Sequence, residues 1–261
     1  MDAYNITEVL AIAFLLGTCI GSFVTMASYR LPLGQDIVFK PSYCPKCSAN
    51  LTVTDLFPLF SWLFSKGQCR HCHSNISVRY PLIELCMGLC FAAVTWRYGF
   101  NLNTFLLLLL VTALAIMIVV DLEHYLIPDS TQVAVLVTGL AYRIHNGNSF
   151  EDILPGMAVG LAISLTLHYG YLYLRKKDAL GFGDVKFLCV AGSWLPLTDF
   201  VPFLFFSGLI GIVTGLLWRF AGRGQIFPFG PALACSLFLN VLVPHMLERI
   251  IVLPPPPPIV Y

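Results

Sequence analysis

Residues 9–29, 102–120, 200–218 and 226–246 each run 19 to 21 positions without Asp, Glu, Lys or Arg. About 20 such residues in helical form span the ~30 Å hydrocarbon core of a bilayer, so each stretch is expected to be a transmembrane helix. Residues 153–174 form a similar stretch interrupted only by His168, and residues 80–96 form another with Glu84 near one end. Residues 128–142 and 185–197 are shorter apolar runs. With 57% hydrophobic and 11% charged residues, and a mean hydropathy of +0.79, the chain does not suit a water-facing surface. The expectation is an all-α polytopic membrane protein of about eight transmembrane helices.

The leading residues MDAYNITE carry Asp2 and Glu8 and no base, the reverse of a signal peptide's basic start, so the first stretch is expected to remain as a helix. Eight crossings place both termini on one side. Loops 30–79, 121–129, 175–186 and 219–225 hold twelve of the fifteen Lys and Arg residues, and the opposite face holds only Arg97, Arg143 and Arg249. The positive-inside rule makes the first set cytoplasmic and leaves both termini outside the cytoplasm. A net charge of +1 offers no basic footprint, and no nucleic acid partner is expected. The five consecutive prolines 254–258 predict an extended tail over residues 254–261.

Five of the nine cysteines, Cys19, Cys86, Cys90, Cys189 and Cys235, lie in apolar stretches and read as small buried residues. The other four form two Cys-x-x-Cys knuckles, Cys44/Cys47 and Cys69/Cys72, separated by 21 residues in the one long cytoplasmic loop. Each knuckle can present two thiolates to one tetrahedral ion, and the cytosol keeps thiols reduced, so the spacing points to a structural zinc site. A redox pair is the competing reading, and His71 and His73 are alternative ligands. A small zinc-binding domain is thus expected over residues 31–79, between the first and second spans.

Asp121 follows directly on an apolar run, and Asp184 precedes one, which puts both at cytoplasmic ends of helices. A single such acid would read as a helix-boundary carboxylate, as Asp129 after Pro128 does. Two brought together have a specific use. Mutual repulsion and desolvation leave one ionised, able to deprotonate a water, and the other protonated, able to polarise a peptide carbonyl. Gly181 and Gly183 permit a tight turn and close approach of a substrate backbone to Asp184.

GFGDVK, residues 181–186, together with VDLEHYLIPD, residues 120–129, resembles the paired active-site motifs of the type IV prepilin peptidases, membrane aspartyl proteases of the GxGD class. GSFVTMASYRLP, the CPKC and CRHC knuckles, DLFPLFSWL and ISVRYPLIE resemble that family's amino-terminal half, in order, and PFGPALA resembles its last-helix motif. The resemblance implies that Asp121 and Asp184 are the catalytic pair and Asp129 a neighbouring motif acid. It implies cleavage of the basic leader of prepilins or type II secretion pseudopilins, after a glycine, at the cytoplasmic face of the bacterial inner membrane. It also implies N-methylation of the new amino terminus with S-adenosylmethionine as donor. By the same analogy residues 1–97 form the methyltransferase part, residues 98–253 a six-helix peptidase core and residues 254–261 the tail.

No glycine-rich fingerprint for the methyl donor is visible, so its binding residues are unassigned. Thr25 stands where the family usually has asparagine, which leaves open a peptidase alone, with the cysteine loop as scaffold or substrate-docking element. Glu84 is a possible contact for methyl transfer or a substrate amine, or else a helix-end carboxylate. Lys186 reads as a membrane-surface anchor. A zinc-stabilised scaffold would leave both aspartates idle. A proton-coupled transporter would place its acids on broken helices of a repeat, and none is visible.

Overall fold

The computed structural model describes residues 3–176, 181–224 and 227–244. The proline-rich tail, residues 177–180 and both ends of the last expected span lie outside the described residues. Among those described, the regular elements are helices: α1 (Ala3–Arg30), α2 (Phe60–Phe64), α3 (Arg79–Tyr98), α4 (Leu102–His124), α5 (Asp129–His145), α6 (Phe150–Arg175), α7 (Phe182–Ala191), α8 (Phe200–Phe220) and α9 (Gly230–Leu242). The eight apolar stretches fall on α1 and α3 to α9. Ile6–Leu33, Leu102–His124, Phe150–Leu174 and Leu197–Phe220 are long and apolar enough to cross a membrane. The ten residues of α7 and the thirteen of α9 rise only ~15 and ~20 Å.

The chain divides into two compact units, Met1–Thr138 and Gly139–Tyr261, the boundary falling inside α5. In the first, α1 and α3 run antiparallel along a seam of glycines. A Cβ on Gly21 would lie 2.6 Å from Glu84 Cα, one on Gly17 would lie 2.8 Å from Gly88 Cα, and one on Gly88 would meet Phe14 and Thr18 at 2.8 Å. Gly17-x-x-x-Gly21 therefore lets the two backbones approach more closely than side chains would permit, the means by which helices associate where no hydrophobic gradient drives them together. At one end of the seam the Arg79 guanidinium donates to Ser28 Oγ (2.8 Å) and pairs with Glu123 Oε1 (2.8 Å), tying α1, α3 and α4 together. α4 starts on Asn101, whose side chain accepts the Thr104 amide, and ends where Tyr125 turns left-handed and returns its amide to the Asp121 carbonyl.

The second unit repeats the device. α6 starts on a capping box in which Asp152 accepts from both the amide and hydroxyl of Ser149. Its Gly156 and Gly160 then face α7, where Gly192 and the Leu188 carbonyl sit where side chains would otherwise stand. Ser164 Oγ reaches the Val185 carbonyl at 3.3 Å. α8 presents Gly211 and Gly215 to the Phe229 and Phe227 rings ahead of α9, and Ser236 bonds the Phe203 carbonyl at 2.7 Å.

Candidate active site and metal centre

The two knuckles are copies of one local structure. In the first, the Cys44 amide bonds the Ala49 carbonyl and the Ser48 amide bonds the Cys44 carbonyl; in the second, Cys69 with Ser74 and His73 with Cys69 do the same. Bridges Tyr43–Asn50 and Gln68–Asn75 close the two turns, with Ser48 and His73 both at positive φ. No internal repeat stands out from the sequence alone. The pattern Cys-x-x-Cys-x-x-Asn, recurring after 25 residues, is the signal that would have revealed it.

The turns face each other, so the four Cys Sγ atoms lie within 4.8 Å of one another, and Cys44 Sγ is 3.9 Å from Cys72 Sγ. Zinc–sulfur bonds of ~2.3 Å in a tetrahedron set sulfurs ~3.8 Å apart, so this donor set fits a metal ion. Cys44 and Cys69 are buried, whereas His71 and His73 are exposed. Backbone hydrogen bonding from Cys47 lowers Cys44 to about 6. At Cys47 the Ala49 amide favours the thiolate, but desolvation and the neighbouring Cys72 and Cys44 outweigh it and raise the thiol to about 11. Four thiolates in so small a volume repel one another, and a dication is the species that relieves that repulsion.

Beside the knuckles a cavity of about 370 Å³ is lined by Tyr29, Tyr43, Trp62 and Tyr80, with the carboxylates of Asp55 and Glu84. Thr25 also lines it, its hydroxyl bonded to the Ser22 carbonyl at 2.7 Å. Glu84 is buried, and its Oε2 accepts the Leu59 amide at 2.7 Å across 25 residues of sequence. Leu59 has φ 62° and ψ −51°, and the Phe60 amide returns to the Pro58 carbonyl at 2.6 Å, a tight γ-turn that the buried carboxylate holds in place. The Glu84–Leu59 link was not foreseen in the sequence. A larger hollow of about 630 Å³ follows Gly211 and Gly215 of α8 and has no carboxylate in its lining.

Asp121 lies in the first unit, one turn before the end of α4, and only 5% of it is exposed. Val120 and Met117 beside it are fully buried. Asp129, at the start of α5, is exposed. Asp184 lies in the second unit, in the first turn of α7, where Gly181 is the N-cap and its carbonyl accepts the Asp184 and Val185 amides at 3.0 and 3.2 Å. A Cβ on Gly181 would sit 3.3 Å from Asp184 Oδ2, so the carboxylate folds back over a residue that leaves it room. The positive end of the helix dipole favours a carboxylate there. Val185, Phe187 and Leu188 are buried beside it, and Lys186 is exposed.

The family described as Bacterial Peptidase A24 N-terminal domain matches residues 15–98, and the type IV leader peptidase family matches residues 108–216. A protein of Stutzerimonas stutzeri named prepilin leader peptidase/N-methyltransferase is 31% identical over 262 residues, covering 88% of this chain and 89% of that one. The chain belongs to the type IV leader peptidase family. A Neisseria gonorrhoeae protein of the same name is 32% identical over 250 residues, 86% of this chain and 87% of that one. A Myxococcus xanthus relative, also so named, is 36% identical over 209 residues, 80% of this chain but only 62% of its own length. No solved structure matches the chain. For a leader peptidase the first family match encloses both knuckles, Thr25 and Glu84, and the second encloses Asp121, Gly181, Gly183 and Asp184.

Proposed function

We propose that this chain is a prepilin leader peptidase that also N-methylates the amino terminus it creates. The observation that carries the reading is a relative so named, aligned over nearly nine-tenths of both chains and so across both sets of functional residues. Asp121 and Asp184 are the catalytic carboxylates. The ionised member takes a proton from water, the protonated one donates to the scissile carbonyl oxygen, and the tetrahedral intermediate collapses with return of a proton to the leaving amine. Gly181 and Gly183 keep the approach to Asp184 open for the substrate backbone. The substrates are prepilins or type II secretion pseudopilins, whose apolar stem brings a junction after glycine to the cytoplasmic face of the inner membrane.

The division of labour is that of the sequence: residues 1–97 for methyl transfer, with a zinc-binding loop at 31–79, residues 98–253 for cleavage, and residues 254–261 as a tail. Cys44, Cys47, Cys69 and Cys72 hold one zinc ion, whose four protein ligands leave no open position for water. S-adenosylmethionine supplies an electrophilic methyl group. The cavity beside the knuckles suits such a molecule, because Tyr29 and Trp62 supply aromatic lining for an adenine or a sulfonium, Glu84 a carboxylate, and Arg30 and Lys46 cations for the donor's own carboxylate. A second reading, cleavage alone with the loop as docking element, is favoured by Thr25, a departure from the family asparagine in that lining.

Co-expression with a prepilin is the test. We expect a product shortened on a gel, with a new terminus one methyl heavier by mass spectrometry. An unshortened prepilin refutes the peptidase, and a shortened, unmethylated one selects the second reading. The eight-span topology with both termini outside predicts cytoplasmic readings for reporters fused after Thr54 and Gly222, and external readings after Asn101 and Asn148. Fusions after Lys177 and Pro254, cytoplasmic and external in turn, probe positions outside the described residues. A reversed reading at Asn101, Asn148 or Lys177, the sites that bracket the two acids, would place Asp121 and Asp184 on opposite faces or on the wrong one, and would defeat the catalytic pairing.

A further inference from the structure

Beside the γ-turn at Leu59 lies a row of exposed apolar side chains. Val53 is 84% exposed, Phe57 54%, Phe60 46%, Leu63 63% and Phe64 75%. The Phe57, Phe60 and Phe64 rings follow one another at 5.6 and 6.3 Å. The opposite side of α2 is committed to the loop, since Trp62 Nε1 donates to the Ile76 carbonyl at 3.1 Å. The segment is thus one-sided, with an apolar face that nothing among the described residues covers.

Its depth follows from the Glu84 link. Arg79, paired with Glu123 and bonded to Ser28, marks where α1, α3 and α4 reach charged groups. Glu84 lies five residues further along α3, ~7–8 Å at 1.5 Å per residue, and packs against Gly21, which is inside the Ile6–Leu33 stretch able to cross a membrane. Helical side chains lean toward the helix N-terminus, so the Glu84 carboxylate, and the Leu59 amide it holds, sit between the Glu84 and Arg79 levels. That is the zone in which amphipathic elements lie, ~5–10 Å into the headgroup and acyl boundary, and where aromatic rings concentrate. Lys66, exposed two residues after Phe64, ends the row with a charge suited to anionic headgroups.

We infer that residues 53–64 are an interfacial element, with Phe57, Phe60, Leu63 and Phe64 dipping into the cytoplasmic leaflet of the bilayer that α1 crosses. The loop is then moored to lipid as well as to its two helices. The inference rests on the membrane reading and not on the chemistry assigned to Asp121 and Asp184, so its failure would leave leader cleavage untouched.

The test uses the full chain in nanodiscs containing anionic lipid. Phe60→Trp and Phe64→Trp each add emission to that of the four native tryptophans. The added signal should be quenched several-fold more by lipids brominated high on the acyl chain than by aqueous iodide, and Lys46→Trp on the first knuckle should show the reverse. Iodide reaching positions 60 and 64 as readily as 46 would overturn the inference. Shielding from both quenchers would also overturn it, giving the face to a pilin or a second copy of the chain. Independently of any substitution, a phospholipid carrying an acyl diazirine should leave adducts within residues 53–64 of the unaltered protein as well as on α1. Adducts on α1 alone would be equally fatal.

Discussion

Asp121→Asn and Asp184→Asn should each lower leader cleavage by about a thousandfold or more, with expression and membrane insertion unchanged. An amide neither accepts the proton of the attacking water nor donates one to the carbonyl, and general acid–base groups of this kind contribute about 10²–10⁴ in rate each. The two positions stand differently. Asp121 is buried one turn from the end of α4, and an isosteric amide keeps its packing. Asp184 is half-buried in the first turn of α7, where the same change also removes a favourable charge–dipole interaction of about 0.3–1 kcal/mol. That cost is small beside the catalytic loss, so Asp184→Asn should still be found in the membrane at near-normal amounts. Cleavage of a co-expressed prepilin near the wild-type rate by either variant would remove that residue from the catalytic pair.

Purified protein should carry about one equivalent of zinc, and Cys44→Ser combined with Cys47→Ser should abolish it, because two ligands from a single knuckle cannot hold the ion that four converging sulfurs define. On the proposed zinc reading the loop depends on that ion to fold, since its turns are too short to bury a core of their own. Methylation should therefore fall well below a tenth of normal, while cleavage falls less, in line with an α1–α3 seam closed by Gly17, Gly21 and Gly88 that needs no metal. Zinc content by plasma emission and the mass of the new amino terminus separate the outcomes. Equal loss of both activities would assign the loop to docking the substrate for cleavage, and a zinc-free wild type would return the knuckles to redox chemistry.

What the sequence disclosed was whatever a single local requirement dictates. A span must be continuous and apolar because hydrocarbon offers no water to its backbone, so the stretches 9–29, 102–120, 153–174 and 200–218 fall within α1, α4, α6 and α8, whereas of 226–246 only Gly230–Leu242 is helical among the described residues. Two Cys-x-x-Cys turns in one loop announce themselves because the ligand geometry is local to each. The glycine seams were not read, although Gly17-x-x-x-Gly21 and Gly156-x-x-x-Gly160 stand in plain spacing. Glycine carries no side chain whose pattern would name its partner, and the partners Gly88 and Gly192 lie 71 residues from Gly17 and 36 from Gly156. The Glu84–Leu59 link was hidden for the same reason: a carboxylate meeting a backbone amide 25 residues back leaves no periodic trace. The amide belongs to a leucine whose left-handed turn its own side chain disfavours.

Arg79 sets one limit on where this chain can be cut, beside Arg30 and Glu84, whose partners lie within the loop. Its guanidinium bonds Ser28 and Glu123 at once, and Glu123 is two residues beyond Asp121. A splice that excises residues 34–78 and joins the stumps with a short flexible linker keeps that cation in place and leaves the end of α4 tethered. A splice only one residue longer strands Glu123 without its counter-charge beside the acid assigned to cleavage. Comparing leader cleavage by the two trimmed chains would measure what the Arg79–Glu123 pair contributes beside Asp121.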